Sequence, residues 1–92
     1  MKNTKVIIKT LSELLPQLTK DTEYDKFIFN RVEFYLSLIK ANKDDRERVK
    51  YMFGDLFDYH NDAYNHFCSE IDLNQNPNWI KVWDVYDYIY SK

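Results

Sequence analysis

The stretch Thr22-Glu23-Tyr24-Asp25-Lys26-Phe27-Ile28-Phe29-Asn30-Arg31-Val32-Glu33-Phe34-Tyr35-Leu36-Ser37-Leu38-Ile39-Lys40-Ala41 decides the fold. Within it Lys26, Asn30, Glu33, Ser37 and Lys40 step by four, three, four and three residues, which draws one narrow polar ridge along an α-helix. Apart from Arg31, nearly every other side chain is large and apolar. A helix apolar around most of its circumference is central in its domain or shared with a partner. Asp21 or Thr22 supplies a cap, and Glu23 and Asp25 suit the positive end of the helix dipole.

Working outward, the N-terminal segment from Asn3 to Leu18 carries Ile7, Ile8, Leu11, Leu14, Leu15 and Leu18 at steps of three and four, again a helical stripe. Pro16 interrupts it, since proline removes a helix hydrogen bond and clashes with the preceding turn. Either the helix ends near Leu14, or it begins at Thr10 with Thr10 and Glu13 as a capping box and Lys5–Lys9 as a short strand. C-terminal to the central stretch, Asn42-Lys43-Asp44-Asp45 supplies a stop and a fresh cap. A third helix is expected from Asp45 to Ile71, with Val49, Phe53, Leu56, His60, Ala63 and Phe67 on its seam and Gly54 as a bend or break. Asn76 with Pro77 at the first helical position starts the fourth segment, where Trp79, Trp83, Tyr86 and Tyr90 recur at helical steps. Its β-branched and aromatic content from Trp79 to Tyr90 also permits a strand. The expected fold is all-α, about four helices in a small bundle, in a single domain over residues 1–92.

Composition agrees. Ninety-two residues with 45% hydrophobic content hold one core, and a second would be too small to fold. One glycine and two prolines exclude a turn-rich sandwich, a glycine-rich phosphate loop and a dinucleotide fingerprint, so no cofactor is expected. A lone Cys68 forms no internal disulfide, no zinc ribbon and no redox dithiol. No stretch approaches the roughly 18 apolar residues of a membrane span. Met1 to Lys9 places only three apolar residues after its charges, unlike a signal peptide, so the expected location is cytoplasmic. The abundance of Lys, Asn, Ile and Tyr fits an AT-rich bacterial, phage or plasmid genome.

Each candidate for catalysis has a plainer structural reading. His60 and His66 are about 240° apart around a helix and cannot share a ligand sphere on it. His60 lies on the apolar seam and reads as a satisfied core histidine. Asp58, Asp62 and His66 share a face, but the spread is wide for one ion, and no metal site is expected. Ser12, Ser37, Ser69 and Ser91 lack a nucleophile elbow, and Cys68 has no histidine beside it on the helix. Leu11-Ser12-Glu13-Leu14-Leu15 matches an LxxLL docking pattern that at this spacing reads as core. The expectation is therefore a protein that is not an enzyme.

Charge distribution is the informative feature. Residues 1–50 carry a net +3 and residues 51–92 a net −5, and the acidic part holds 11 of the 16 aromatic residues. Opposite the seam of the third segment stand Asp55, Asp58, Tyr59 and Asp62, and on the polar side of the fourth stand Asp84, Asp87 and Tyr88. Tyrosine offers contact area with few torsions to freeze, and carboxylates pair with Arg and Lys. These residues are expected to bind a protein partner with a basic surface, as an inhibitor, immunity or anti-defence protein does. Two alternatives are a structural or regulatory homodimer built on the central helix, and nucleic-acid binding through Lys43–Lys50. Asp44, Asp45 and Glu47 dilute the latter, and the acids of residues 51–92 repel phosphate.

Overall fold

The computed structural model describes residues 1–67 and 72–91. They form four helices, α1 (Thr4–Leu14), α2 (Glu23–Ala41), α3 (Arg46–Phe67) and α4 (Pro77–Tyr90), with no strand among the described residues. Single 3-10 turns, Leu15–Gln17 and Leu73–Gln75, follow α1 and precede α4. The expected all-α bundle is thus observed. The radius of gyration of 12.8 Å is close to the roughly 12 Å of a compact chain of this length.

Local chemistry sets the helix ends. Asn3 caps α1 by accepting a hydrogen bond from the Val6 amide at 3.0 Å, so Lys5–Lys9 is helix and the strand reading is overturned. The helix stops at Leu14 because Pro16 cannot continue it, and the chain tightens into the 3-10 turn instead. Thr10 is no cap; it sits mid-helix and its hydroxyl donates to the Val6 carbonyl at 2.7 Å. Thr22 caps α2 in a reciprocal box, accepting from the Asp25 amide while the Asp25 carboxylate accepts from the Thr22 amide, both at 3.1 Å. The Asp45 carboxylate receives the Arg48 amide at 3.1 Å at the start of α3. Asn76 caps α4 through the Trp79 amide at 3.0 Å, with Pro77 opening the helix. Trp79–Tyr90 is therefore helical too; its capped, proline-started first turn outweighs the β-propensity of its side chains.

Helix α3 runs unbroken through Gly54, so no break occurs there. The expected extension of α3 to Ile71, and the readings of Cys68 and Ser69, lie outside the described residues. Helix α2 packs along both α1 and α3, and α1 packs along α4. The core joins Ile7, Leu11 and Leu14 of α1 to Ile28, Val32 and Ile39 of α2. It continues through Val49, Phe53 and Leu56 of α3 to Val82, Tyr86 and Ile89 of α4. The LxxLL motif is absorbed here, with Leu11 and Leu14 buried. The polar ridge of α2 faces solvent as its spacing implies.

One buried polar network joins three parts of the chain. Asp25, 3% exposed, accepts hydrogen bonds from the side-chain amides of Asn76 at 3.1 Å and Asn78 at 3.0 Å. Asn78, fully buried, also donates to the Thr19 carbonyl and accepts from the Thr19 amide, each at 3.0 Å. The capping carboxylate of α2 thereby holds the start of α4 and the α1–α2 link together. A buried carboxylate is tolerable only when so fully bonded. At the opposite end of α4 the Lys2 amide donates to the Ile89 carbonyl at 2.7 Å.

Two stability outcomes follow from these contacts. Asn78→Ala strips partners from Asp25 and from the Thr19 backbone inside the fold, and is expected to destabilise by about 2–4 kcal/mol. In urea unfolding its midpoint falls while the slope stays unchanged. Gly54→Ala should stabilise by about 1 kcal/mol, because a Cβ built at Gly54 meets nothing within 4 Å. A higher melting temperature checks this.

Candidate functional site

The outward face of α3 brings Asp55, Asp58, Tyr59 and Asp62 together, because residues three and four apart stack along a helix. With Tyr35 of α2 they line a shallow depression of about 250 Å³. Tyr35 and Tyr59 lie with ring centroids 6.0 Å apart across the α2–α3 seam. Phe34 stands edge-on to Tyr35 at 5.3 Å and is 53% exposed, unusual for a phenylalanine with a packed neighbour. The Arg31 guanidinium caps the Tyr59 ring at 4.2 Å and lies 5.4 Å from the Phe27 ring. Burial pushes the Tyr35 hydroxyl pKa up, with Asp55 and Tyr59 adding to the rise against Arg31, so it remains a neutral hydrogen-bonding group.

Among the described residues the side-chain ion pairs are Lys26–Glu23 and Arg48–Asp45, and neither involves Asp55, Asp58 or Asp62. Three carboxylates on one ridge repel each other, and Arg31, over the Tyr59 ring, forms an ion pair with none of them, so a partner's Arg or Lys would relieve that repulsion. The described residues contain no cluster of three or more His, Cys, Asp or Glu able to hold a metal ion.

The other expected binding residues lie elsewhere. Asp84 and Tyr88 face α1, lining a groove with Lys9 and Glu13, and the Lys2 ammonium sits 5.1 Å from the Tyr88 ring. Asp87 lies four residues after Trp83 and three before Tyr90, on the side of α4 toward the aromatic seam with α3. The acidic surface is therefore divided among separate faces rather than continuous across α3 and α4. Tyr35 lines the α3 depression, with Phe34 against its ring and Arg31 over the Tyr59 ring, and these three were not anticipated. The signal for Phe34 was present, since it directly follows Glu33 on the polar ridge, but it reads as apolar core by residue type.

The basic segment is also divided. Lys43, Asp44 and Arg46 line a depression of about 520 Å³ with Asn3, Thr4, Lys5 and Ile8 of the α1 end. Arg48 instead turns to Asp45 at 3.6 Å and to the Asn42 side-chain oxygen at 3.4 Å.

His60 departs from expectation in one respect. It is fully buried, as its seam position implies, but neither ring nitrogen has a hydrogen-bond partner. The ring stacks on Trp79 at 4.1 Å, lies nearly parallel to Trp83 at 5.6 Å and meets Tyr86 edge-on at 5.1 Å. The Tyr24 and Tyr86 hydroxyls are likewise buried without a partner. Burial pushes the imidazole pKa down to about 4 from 6.5, so His60 is a neutral core group and no general base at neutral pH.

That shift has a definite sign. The unfolded chain binds the His60 proton below about 6.5 and the folded chain only below about 4. The stabilisation is whole above pH 6.5 and is lost as pH falls through that window, by about 3 kcal/mol in all. Urea unfolding at pH 7.5 and 4.5 should show this loss, and His60→Phe should reduce it. No protein-family model, no curated protein and no solved structure matches the chain.

Proposed function

We propose that the chain is a non-enzymatic binding protein whose α3 face, with Phe34 and Tyr59 as anchors, docks on a basic protein surface. The observation that carries this reading is the exposed Phe34 beside a depression rimmed by three carboxylates in no ion pair. Aromatic side chains at the centre of an interface supply most of the binding energy, while surrounding charges set orientation and association rate. The tyrosines add contact area at little entropic cost, since Tyr35 is already packed and Tyr59 is held under Arg31. An inhibitor or immunity role, in which an acidic surface occludes a basic one, is the form of binding this chemistry suits best.

The homodimer alternative rested on the apolar circumference of α2. Most of that circumference packs against α1 and α3, and Phe34 is its exposed large apolar side chain. The depression therefore offers a partner one aromatic anchor rather than a broad apolar helix face.

The face is tested by affinity capture from source lysate, using the wild-type chain and surface variants that keep the core intact. Asp58→Lys, Asp62→Lys and Phe34→Ala should each weaken the captured protein's affinity by about tenfold or more. Asp84→Lys, on the α1 side of α4, should leave it within about twofold. Capture that ignores Phe34 and both charge reversals sinks the assignment of this face.

A further inference from the structure

The seam between α3 and α4 is a second surface, and it stands independently of the depression beside Phe34. Its rings form a continuous run: Tyr64 to Trp79 at 5.5 Å, Trp79 to Trp83 at 6.3 Å, Trp83 to Phe57 at 5.8 Å and Phe57 to Tyr90 at 5.9 Å. These rings only partly cover one another. Trp83 is 40% exposed and Tyr90 46%, with Ile80 at 44% beside them. Together they leave three large, largely apolar side chains exposed side by side, and contiguous apolar surface on a monomer is often functional.

Gly54 and the charges sharpen the choice of occupant. Gly54 lies on this side of α3, three residues before Phe57, in an ordinary helical conformation with no neighbour within 4 Å of a Cβ built there. Nothing inside the fold requires glycine at that position, where alanine would make a better helix. The missing side chain leaves room for another molecule to approach the backbone closely. Asp87, on the seam side of α4, stands in no ion pair among the described residues. Two such seams facing each other would oppose like charges, which disfavours a two-fold seam-on-seam dimer.

The complementary surface is on the same chain. The depression of about 520 Å³ at the end of the bundle has Ile8 in its wall and Lys5, Lys43 and Arg46 around it, with Asp44 as its acid. An aromatic side chain beside a carboxylate fits it, because apolar surface meets Ile8, the cations meet Asp87, and Arg46 or Lys5 can cover an aromatic face. We infer that the Trp83–Tyr90 seam of one copy docks in the Lys5/Lys43/Arg46 depression of a second copy, so that the chain associates head to tail. The pair then retains one free seam on one copy and one free depression on the other, the condition for rings or open chains.

Sedimentation of the purified chain over a concentration series tests this. In about 50 mM salt the average mass should rise with concentration above the 11.3 kDa of one copy, and about 500 mM salt should return it toward that value. Asp87→Lys and Lys43→Glu should each suppress association when alone. Mixed in equal amounts they should associate again, since the intact seam of one meets the intact depression of the other and the two reversed charges attract. Gly54→Ala should raise the melting temperature yet weaken association, whereas a purely structural glycine would change only the former. A wild-type monomer at every concentration overturns the inference, as does a salt-resistant dimer or a mixed sample that stays monomeric. Capture of a partner through Phe34 and Asp62 would survive any of those results, so the two surfaces fail separately.

Discussion

The fold depends on how one buried carboxylate is satisfied. Asp25 closes the cap of α2 and at the same time accepts from Asn76 and Asn78, which begin α4 more than fifty residues later in the chain. An ordinary capping box is a local device worth about 1 kcal/mol. Here it also fixes tertiary structure, because one carboxylate oxygen closes the cap while the other anchors the start of another helix. Burial gives the arrangement directionality: an aspartate with only 3% exposure that lost these donors would be left a desolvated charge. Apolar packing alone would let α4 slide along its neighbours, whereas this network sets its register.

The surfaces follow from that register. With α4 held at its first turn and again by the Lys2–Ile89 backbone bond, its aromatic stripe lies against α3 and its Asp84–Tyr88 side against α1. The acidic ridge of α3 is left beside α2, where Phe34 and Tyr59 frame it. Charges close in sequence are therefore sent to different faces, and charges distant in sequence meet. Lys5 and Arg46 line one depression although forty residues separate them.

Helix identity and caps were legible because their signals are local. Thr22 and Asn76 each act on an amide three residues on, Pro77 is pre-set for the first helical position, and the apolar spacing of α2 and α3 is unambiguous. The strand reading for Lys5–Lys9 arose from an alternative helix start at Thr10, and that for Trp79–Tyr90 from side-chain propensity; the caps at Asn3 and Asn76 prevailed over both. Of the candidate site, the cluster Asp55, Asp58, Tyr59 and Asp62 was legible from its spacing on one helix. Phe34, Tyr35 and Arg31 were not, because they reach the site only through the packing of α2 on α3. The Asp25–Asn78 bond was hidden for the same reason: asparagine after a proline-started turn reads as a surface residue until its tertiary partner is known. The unpartnered nitrogens of His60 were equally hidden, since a seam position specifies burial but not hydrogen bonding.

The nearly parallel indoles of Trp79 and Trp83, 2° from coplanar orientation and one helical turn apart, make α4 optically distinct from the rest of the molecule. Both tryptophans of the chain lie on this helix, and both rings lie close to the His60 ring. Indole fluorescence and near-ultraviolet dichroism therefore view the α3–α4 seam, while the far-ultraviolet signal is dominated by the longer helices α2 and α3. A molecule in which α4 loosened while the α2–α3 pair stayed folded would lose the first signals and keep most of the last. The chain carries, in two side chains, its own gauge of whether that seam is closed.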